Sequence, residues 1–284
     1  MHTENTKGRI IMKTVIGIDV GGSTTKIVGF DENNNLIKPM FIQANDQITS
    51  IYGAFGKFVD VNGLALSDIS EIKVTGVGAS FLEKGIYGLK CDQVSEFNSI
   101  GAGGLYLSGL DRALIASLGT GSACVYAEKG KKPEYLGGTG VGGGTIVGLS
   151  KALIGLETIK HISAAASEGN IDSIDLQIKD ITKKGDRSGL PPSLTVANFG
   201  KISEIATKND LALGILNMVF ETVGTTCVFA ARTKGIKDIV LTGNLTTIPQ
   251  AKTVFDNVGQ LLGANFIIPE HAQFGTVIGA ALSK

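Results

Sequence analysis

The 284-residue chain reads as an α/β protein of two lobes, on three observations. Short apolar strands alternate with segments of helical spacing along most of its length, the pattern of sheets covered by helices. A strand–glycine turn–strand unit at 15–30 is repeated at 113–127, which suggests two related lobes with a nucleotide cleft between them. Six glycines fall within residues 137–144, directly flanked by apolar segments, a density that core packing cannot use. Hydrophobic residues make up 43% and charged residues 18%, enough apolar surface for two cores in a globular chain. The boundary is placed at Asp111, giving lobes 13–111 and 112–284, with residues 1–12 expected to form a disordered extension.

In order, Val15–Val20 is a buried strand, and Lys26–Phe30 is its hairpin partner across a turn of glycines and small hydroxyl residues. Asn33-Asn34-Asn35 marks a turn, and Leu36–Gln43 is a third strand. Ile48, Ile51, Tyr52, Phe55, Phe58 and Val59 give 47–60 helical spacing. A strand at 72–78 ends in glycines, a short helix begins at Phe81, and 92–94 leads into a glycine-rich helix at 100–110. The second lobe opens with strands at 112–118 and 123–127. Helices follow at 156–167, 172–182 and 196–207, with Pro191-Pro192 stopping any helix there, and then a long apolar helix at 211–234. A strand at 236–241, a helix at 253–262, an edge strand at 264–268 and a final helix at 274–282 complete the chain. Gly275 and Gly279, four apart, would let that last helix pack closely against another element.

Lys and Arg together number 26, as do Asp and Glu, so no net charge argues for nucleic acid or an anionic membrane surface. No apolar run is read as reaching the length of a membrane span, the longest being broken by Gly, Lys or Asp. Cys91, Cys124 and Cys227 lack metal-ligand or disulfide spacing, which fits free thiols in a reducing compartment, the cytoplasm. The chemistry gathers at the glycines. The turn Gly21, Gly22, Ser23, Thr24 can bring backbone N–H groups close to an anion. Asp19 beside it can hold Mg²⁺ directly or through water, and Lys26 can offset phosphate charge. Gly119, Thr120 and Gly121 form the second such turn. The run containing Gly140, Gly142, Gly143 and Gly144 leads into a helix whose N-terminus favours anions. Gly243, at the carboxyl end of a strand, stands where ligands of open α/β sheets rest. Glu96 begins a helix, a position that suits a capping charge and equally a carboxylate projecting toward a ligand.

The turn at 19–26 resembles the first phosphate loop of the actin, hexokinase and chaperone ATPase superfamily, and is neither a P-loop nor a Rossmann fingerprint. More specifically, DVGGSTTK (19–26), SEFNS (95–99), GTG (119–121), GGTGVGGGTIVGL (137–149), LTVANFG (194–200), LTGN (241–244) and FGTVIGAAL (274–282) occur in the order of the type II pantothenate kinases. That resemblance implies two actin-like (ribonuclease H-like) lobes and ATP-dependent phosphorylation of pantothenate, the first step toward coenzyme A, by a homodimer. It implies Glu96 as catalytic base. It further implies Thr120 as a substrate contact, and Val196-Ala197-Asn198 as a segment that reaches the substrate region from the partner subunit, with Val196 and Ala197 as substrate contacts. Two departures are visible: Tyr135 stands where the family carries an Arg that touches substrate, and Ala123 replaces a family hydroxyl. Tyr lacks the fixed charge and bidentate reach of Arg. Lys131 and Lys132 are candidates to meet the substrate carboxylate instead. The alternatives are an actin-like kinase for another small hydroxyl compound and a nucleotide-binding regulator with little turnover. A zinc-bearing sugar kinase lacks its Cys/His cluster here, and an iron–sulfur dehydratase activator lacks suitably spaced cysteines.

Overall fold

A computed structural model describes residues 13–21, 24–42, 46–82, 84–183 and 189–283. The expectation for residues 1–12 and the polar turn expected at 183–188 fall largely outside them. The described residues form two compact units, one running to Tyr106 and resuming at Phe274, the other Leu107–Gln273.

The first unit is built on strands β1 (Thr14–Val20), β2 (Thr25–Phe30), β3 (Leu36–Ile42), β4 (Ile69–Thr75) and β5 (Cys91–Gln93). Their order is β3-β2-β1-β4-β5. β1–β2 and β2–β3 are antiparallel, whereas β4 and β5 continue the sheet in parallel. Helix α1 (Gln47–Val61) starts where the Asp46 carboxylate accepts the Thr49 N–H at 2.6 Å, an N-cap, and buries Ile51, Phe55 and Phe58. These meet Ile16, Ile18, Ile27, Ile72 and Val74 in one core. A short 3₁₀ turn at Ala79–Leu82 stands where the spacing suggested a helix beginning at Phe81. Helix α2 (Glu96–Ser108) is the glycine-rich helix, four residues earlier than expected.

The second unit repeats the strand order. β6 (Arg112–Leu118), β7 (Ser122–Glu128), β8 (Glu134–Thr139), β11 (Asp238–Thr242) and β12 (Asn265–Ile267) lie in the order β12-β11-β6-β7-β8. Its helices are α3 (Gly143–Ile154), α4 (Ile159–Ser167), α5 (Ile178–Ile181), α6 (Lys208–Thr233) and α7 (Pro249–Leu262), with a second small sheet of β9 (Leu176–Gln177) and β10 (Thr195–Ala197). α6 opens with a reciprocal cap between Thr207 and Asp210 and is the spine of the second core, burying Ile215, Val219, Phe220 and Val223. By length and composition α6 does reach a membrane span, contrary to the sequence reading. Just over half of its apolar window (56%) is buried inside the protein, as in a core helix.

Four expectations are corrected. The helix expected at 172–182 is a 3₁₀ turn, the strand β9 and the single turn α5, and the one expected at 196–207 is β10 followed by turns. The apolar spacing mimics helices, but the two segments pair with each other instead: Gln177 lies opposite Thr195, and the N–H groups of Lys201 and Ser203 donate to Ile174 and Ser173 at 3.0 and 2.9 Å. Residues 134–139 of the glycine run and its approach form an edge strand, with the helix starting only at Gly143. The final helix, α8 (Gly275–Leu282), expected in the second lobe, belongs to the first unit. Its backbone touches that of α2, where a Cβ on Gly103 or Gly279 would collide with the carbonyls of Gly275 and Ser99 respectively. The closeness that Gly275 and Gly279 announced is thus directed at α2.

Candidate active site

In the first unit, the antiparallel register of β1 and β2 sets Asp19 opposite Lys26, and the parallel register of β1 and β4 sets it beside Thr75. Lys26 is almost fully buried at 8% exposure. Burial lowers its pKa, and the neighbouring Asp19 opposes that shift. Asp19 is partly accessible at the carboxyl end of β1. Burial raises its pKa to about 6, against the attraction of Lys26, and the Glu96 charge pushes the same way. Two carboxylates with one buried ammonium therefore leave unbalanced negative charge at this strand end. Gly76 packs against it in a left-handed conformation (φ 88°), where a Cβ would stand 2.7 Å from Asp19 Oδ1 and 2.5 Å from the Val20 carbonyl. Glu96 is the exposed first residue of α2. Gly21 donates its N–H to the Thr24 carbonyl at 3.0 Å, which closes the turn. Gly22 and Ser23 lie outside the described residues.

In the second unit the glycine stretches converge. Gly119 donates to the Gly121 carbonyl at 2.9 Å, and the N–H groups of Gly143 and Gly144 donate to the carbonyls of Gly119 and Thr120 at 2.9 and 2.8 Å. Ser122 Oγ donates to the Val141 carbonyl at 2.8 Å. The start of α3 is thus tied to the β6–β7 turn, and the amides of Gly119, Gly143 and Gly144 are committed internally. Those of Thr120 and Gly121 have no partner among the described residues, so they are the turn's donors open to an anion. Gly142 donates instead to Thr145 Oγ1 at 3.2 Å. Gly140 is exposed, with open space at its Cα. Gly243 closes the group from the end of β11: its φ is 95°, and a Cβ there would stand 2.5 Å from the Leu118 carbonyl.

Tyr135 lies on β8 and is 47% exposed, next to a register shift between β7 and β8 that leaves its hydroxyl near Gly138. Ala123 pairs with Gly138. Of the two candidate cations, Lys131 is engaged with Glu128 at 2.8 Å, and Lys132 is exposed. Val196 on β10 is 45% exposed, with Ala197 half-buried after it. Sequence reading missed Asp175 and Asn217, which join Asn198 and Glu221 in a polar cluster behind β10. The helix expected at 172–182 hides Asp175, and its place on a mostly apolar helix hides Asn217. It also left Cys124 and Cys227 unrelated, yet their sulfurs lie 3.5 Å apart across β7 and α6, both buried and free.

A family model described as Fumble matches residues 112–255. A type II pantothenate kinase of Bacillus thuringiensis subsp. konkukian is 30% identical over 242 residues, covering 82% of this chain and 83% of that protein. The chain belongs to the type II pantothenate kinase family. A member from Staphylococcus saprophyticus is 28% identical over 280 residues, spanning 93% of this chain and 98% of its own. The fold is also found in solved structures of other proteins. An activator of 2-hydroxyisocaproyl-CoA dehydratase from Clostridium difficile, with bound ADPNP, superposes with a TM-score of 0.66 at 15% identity, over 95% of this chain and 93% of that one. A ROK family glucokinase from Streptomyces griseus, in complex with glucose and AMPPNP, gives 0.63 at 12% identity, over 94% and 98%. At these identities the likeness concerns the fold alone. Against that background, the type II pantothenate kinase family motifs of the sequence fall at the ends of β1, β6 and β11 and at the starts of α2 and α3.

Proposed function

We propose that this member of the type II pantothenate kinase family is an ATP-dependent kinase that phosphorylates the primary hydroxyl of pantothenate to give 4'-phosphopantothenate, the first step of coenzyme A synthesis. The observation that carries the reading is family membership together with the register that sets Asp19 opposite the buried Lys26 at the glycine turn, where the family motif DVGGSTTK lies. Phosphoryl transfer asks for positioning, charge neutralisation and one group to take the hydroxyl proton. In the proposed reaction the pantothenate hydroxyl oxygen attacks the γ-phosphorus, its proton passes to Glu96, and ADP leaves.

Among the described residues no cluster of three or more His, Cys, Asp or Glu is arranged to hold a metal. Mg²⁺ is commonly held by one or two carboxylates together with substrate phosphates and water. Asp19 is the residue that would hold it, and the excess negative charge around Asp19 is what a divalent cation would relieve. When bound, Mg²⁺ supplies charge neutralisation at the phosphates. Lys26, being buried, balances Asp19 from within the sheet, while the Thr120 and Gly121 amides receive phosphate oxygens, with Thr120 also reaching substrate. Gly21 to Thr24, Gly140 to Gly144 and Gly243 are assigned to the nucleotide. The remaining acceptor contacts are assigned to Tyr135 and, from the partner subunit of a homodimer, to the Val196–Ala197 segment; exposed Val196 and the exposed Phe229 of α6 support an association of this kind. The reading has no part for nucleic acid or a membrane, and places the enzyme in the cytoplasm.

Tyr135 favours one alternative, a different small hydroxyl acceptor in the same site. A coupled ADP-release assay on purified protein, offering pantothenate, pantetheine and several sugars with Mg²⁺-ATP, separates the two. Turnover with pantothenate well above that with the sugars is expected. Turnover only with another acceptor would transfer the proposal to that compound, and ATP binding without turnover on any would indicate a regulator. Static light scattering at tens of micromolar is expected to give a dimer mass; a monomer would remove the partner's segment from the site.

A further inference from the structure

Asp175 is fully buried, and no cation pairs with it among the described residues. Its carboxylate is satisfied by N–H donors alone: the Phe199 backbone at 2.8 Å, Asn217 Nδ2 at 2.8 Å and Asn198 Nδ2 at 3.4 Å. The same Asn198 nitrogen donates to Glu221 Oε2 at 2.9 Å, and the Thr195 hydroxyl donates to Glu221 Oε1 at 2.7 Å. Two carboxylates, one ahead of β9 and one on α6, therefore close on a single five-residue segment, Thr195–Phe199. Isolated carboxylates are costly to bury, and apolar residues of similar volume would hold two elements together at least as well. What directional hydrogen bonds add is one fixed conformation.

That conformation is a strained one. Phe199 has φ 58°, a left-handed backbone that a bulky residue adopts only when its surroundings impose it, and its N–H is one of those that Asp175 holds. The segment's outward residue, Val196, is 45% exposed, so apolar packing does not fix it. Thr195 and Glu221 also line a groove of 580 Å³ with Ser193, Thr225, Asn257 and Gln260, so the clamp stands at the edge of open space. We propose that Asp175, Asn198 and Glu221 act as positioning residues, clamping Thr195–Phe199 so that Val196 and Ala197 are presented to the acceptor substrate. The inference rests on the assignment of Val196 and Ala197 as acceptor contacts under the proposed function.

Asp175→Asn tests it in the full-length protein. The new amide would set N–H against the N–H groups of Asn198 or Asn217 at nearly unchanged volume. Small misplacements of positioning groups can cost up to about 100-fold, so KM for pantothenate should rise by about 10- to 100-fold, with KM for ATP and kcat within about twofold of wild type. Hydrogen exchange at 195–201 should accelerate while α1 and β1 keep their protection. The swapped pair Asp175→Asn with Asn217→Asp should recover part of both readouts, since donor and acceptor at 175 and 217 then face each other again while the longer Asn198 contact stays mismatched. Glu221→Gln, which loses one acceptor oxygen, should move both in the same direction by less, and replaces Asp175→Asn if that variant does not fold. Unchanged exchange at 195–201 would overturn the clamp, and faster exchange with unchanged KM for pantothenate would overturn its service to the acceptor. So would equal losses in both KM values and kcat, which mark a merely structural role. Wild-type protein that neither binds nor phosphorylates pantothenate would instead sink the functional reading, and the exchange data would then judge the clamp alone.

Discussion

The two five-stranded sheets have the same strand order and opposite chemistry at their first hairpin. In the first unit, the β1–β2 hairpin carries Asp19 opposite Lys26, with Glu96 close enough for its charge to raise the Asp19 pKa. In the second, the β6–β7 turn and the start of α3 carry no charged side chain at all between Ser117 and Ser122 or between Gly140 and Thr145. What they carry is backbone: amides tied turn to helix, with those of Thr120 and Gly121 left open. Under the proposed function, one scaffold used twice would divide the work of phosphoryl transfer between its two copies. Carboxylates suit a metal and a proton, and would repel phosphate; glycine amides suit phosphate and cannot move a proton.

The largest effect should come from the charged side of that comparison. Positioned proton transfer typically contributes about 10²–10⁴-fold, so Glu96→Gln should cut kcat by that order while leaving ATP affinity nearly unchanged. Near-normal turnover would leave Glu96 a structural charge at the start of α2.

Next come the glycines of the uncharged side. Gly243→Ala forces a left-handed alanine against the Leu118 carbonyl, and should lower unfolding free energy by about 2 kcal/mol or more in denaturant titration. Gly140→Ala, with open space at its Cα, should stay within about 0.5 kcal/mol of wild type. Similar losses for both would mean that the cradle is not held by the close backbone approaches described here.

Asp19 gives a comparable effect of the opposite sign. Its folded-state pKa, about 6, lies above the ordinary value of 3.8, so the folded protein holds the extra proton between those values. The stability contributed by this site is complete below about pH 4 and is lost as pH rises through about 6. At pH 7 and above, the ionised Asp19 therefore costs the metal-free protein up to about 3 kcal/mol, and Asp19→Asn should stabilise it by up to that amount and flatten the pH dependence between 4 and 6. A variant no more stable than wild type at pH 8 would mean that Lys26 compensates Asp19 fully.

Much of this was readable from residues alone. Glycine turns between apolar runs marked both hairpins, and α1 and α6 announced themselves by spacing. Strand order was not readable, because β11 and β12 join β6 from more than a hundred positions away. The stretches 172–182 and 196–207 misled because their apolar residues fit a helical period, while what decides their path is Asp175 capturing the Phe199 N–H and β9 pairing with β10. The glycines of β8 hid a strand, since glycine weakens any strand signal. Likewise the return of α8 to the first unit depends on its contact with α2, which only the glycine pair hinted at.

The division of labour is tested most directly by calorimetric titration of ATP, with and without Mg²⁺, into wild-type protein and Asp19→Asn. Losing a charged partner costs about 1.5–3 kcal/mol, so the Mg²⁺-dependent gain in affinity should fall by roughly 10- to 150-fold in the variant, with metal-free affinity unchanged or improved. In wild type the Mg²⁺-dependent gain should also fade as pH drops through about 6, where Asp19 takes up its proton. An undiminished Mg²⁺-dependent gain in Asp19→Asn would contradict the assignment of metal chemistry to the first hairpin.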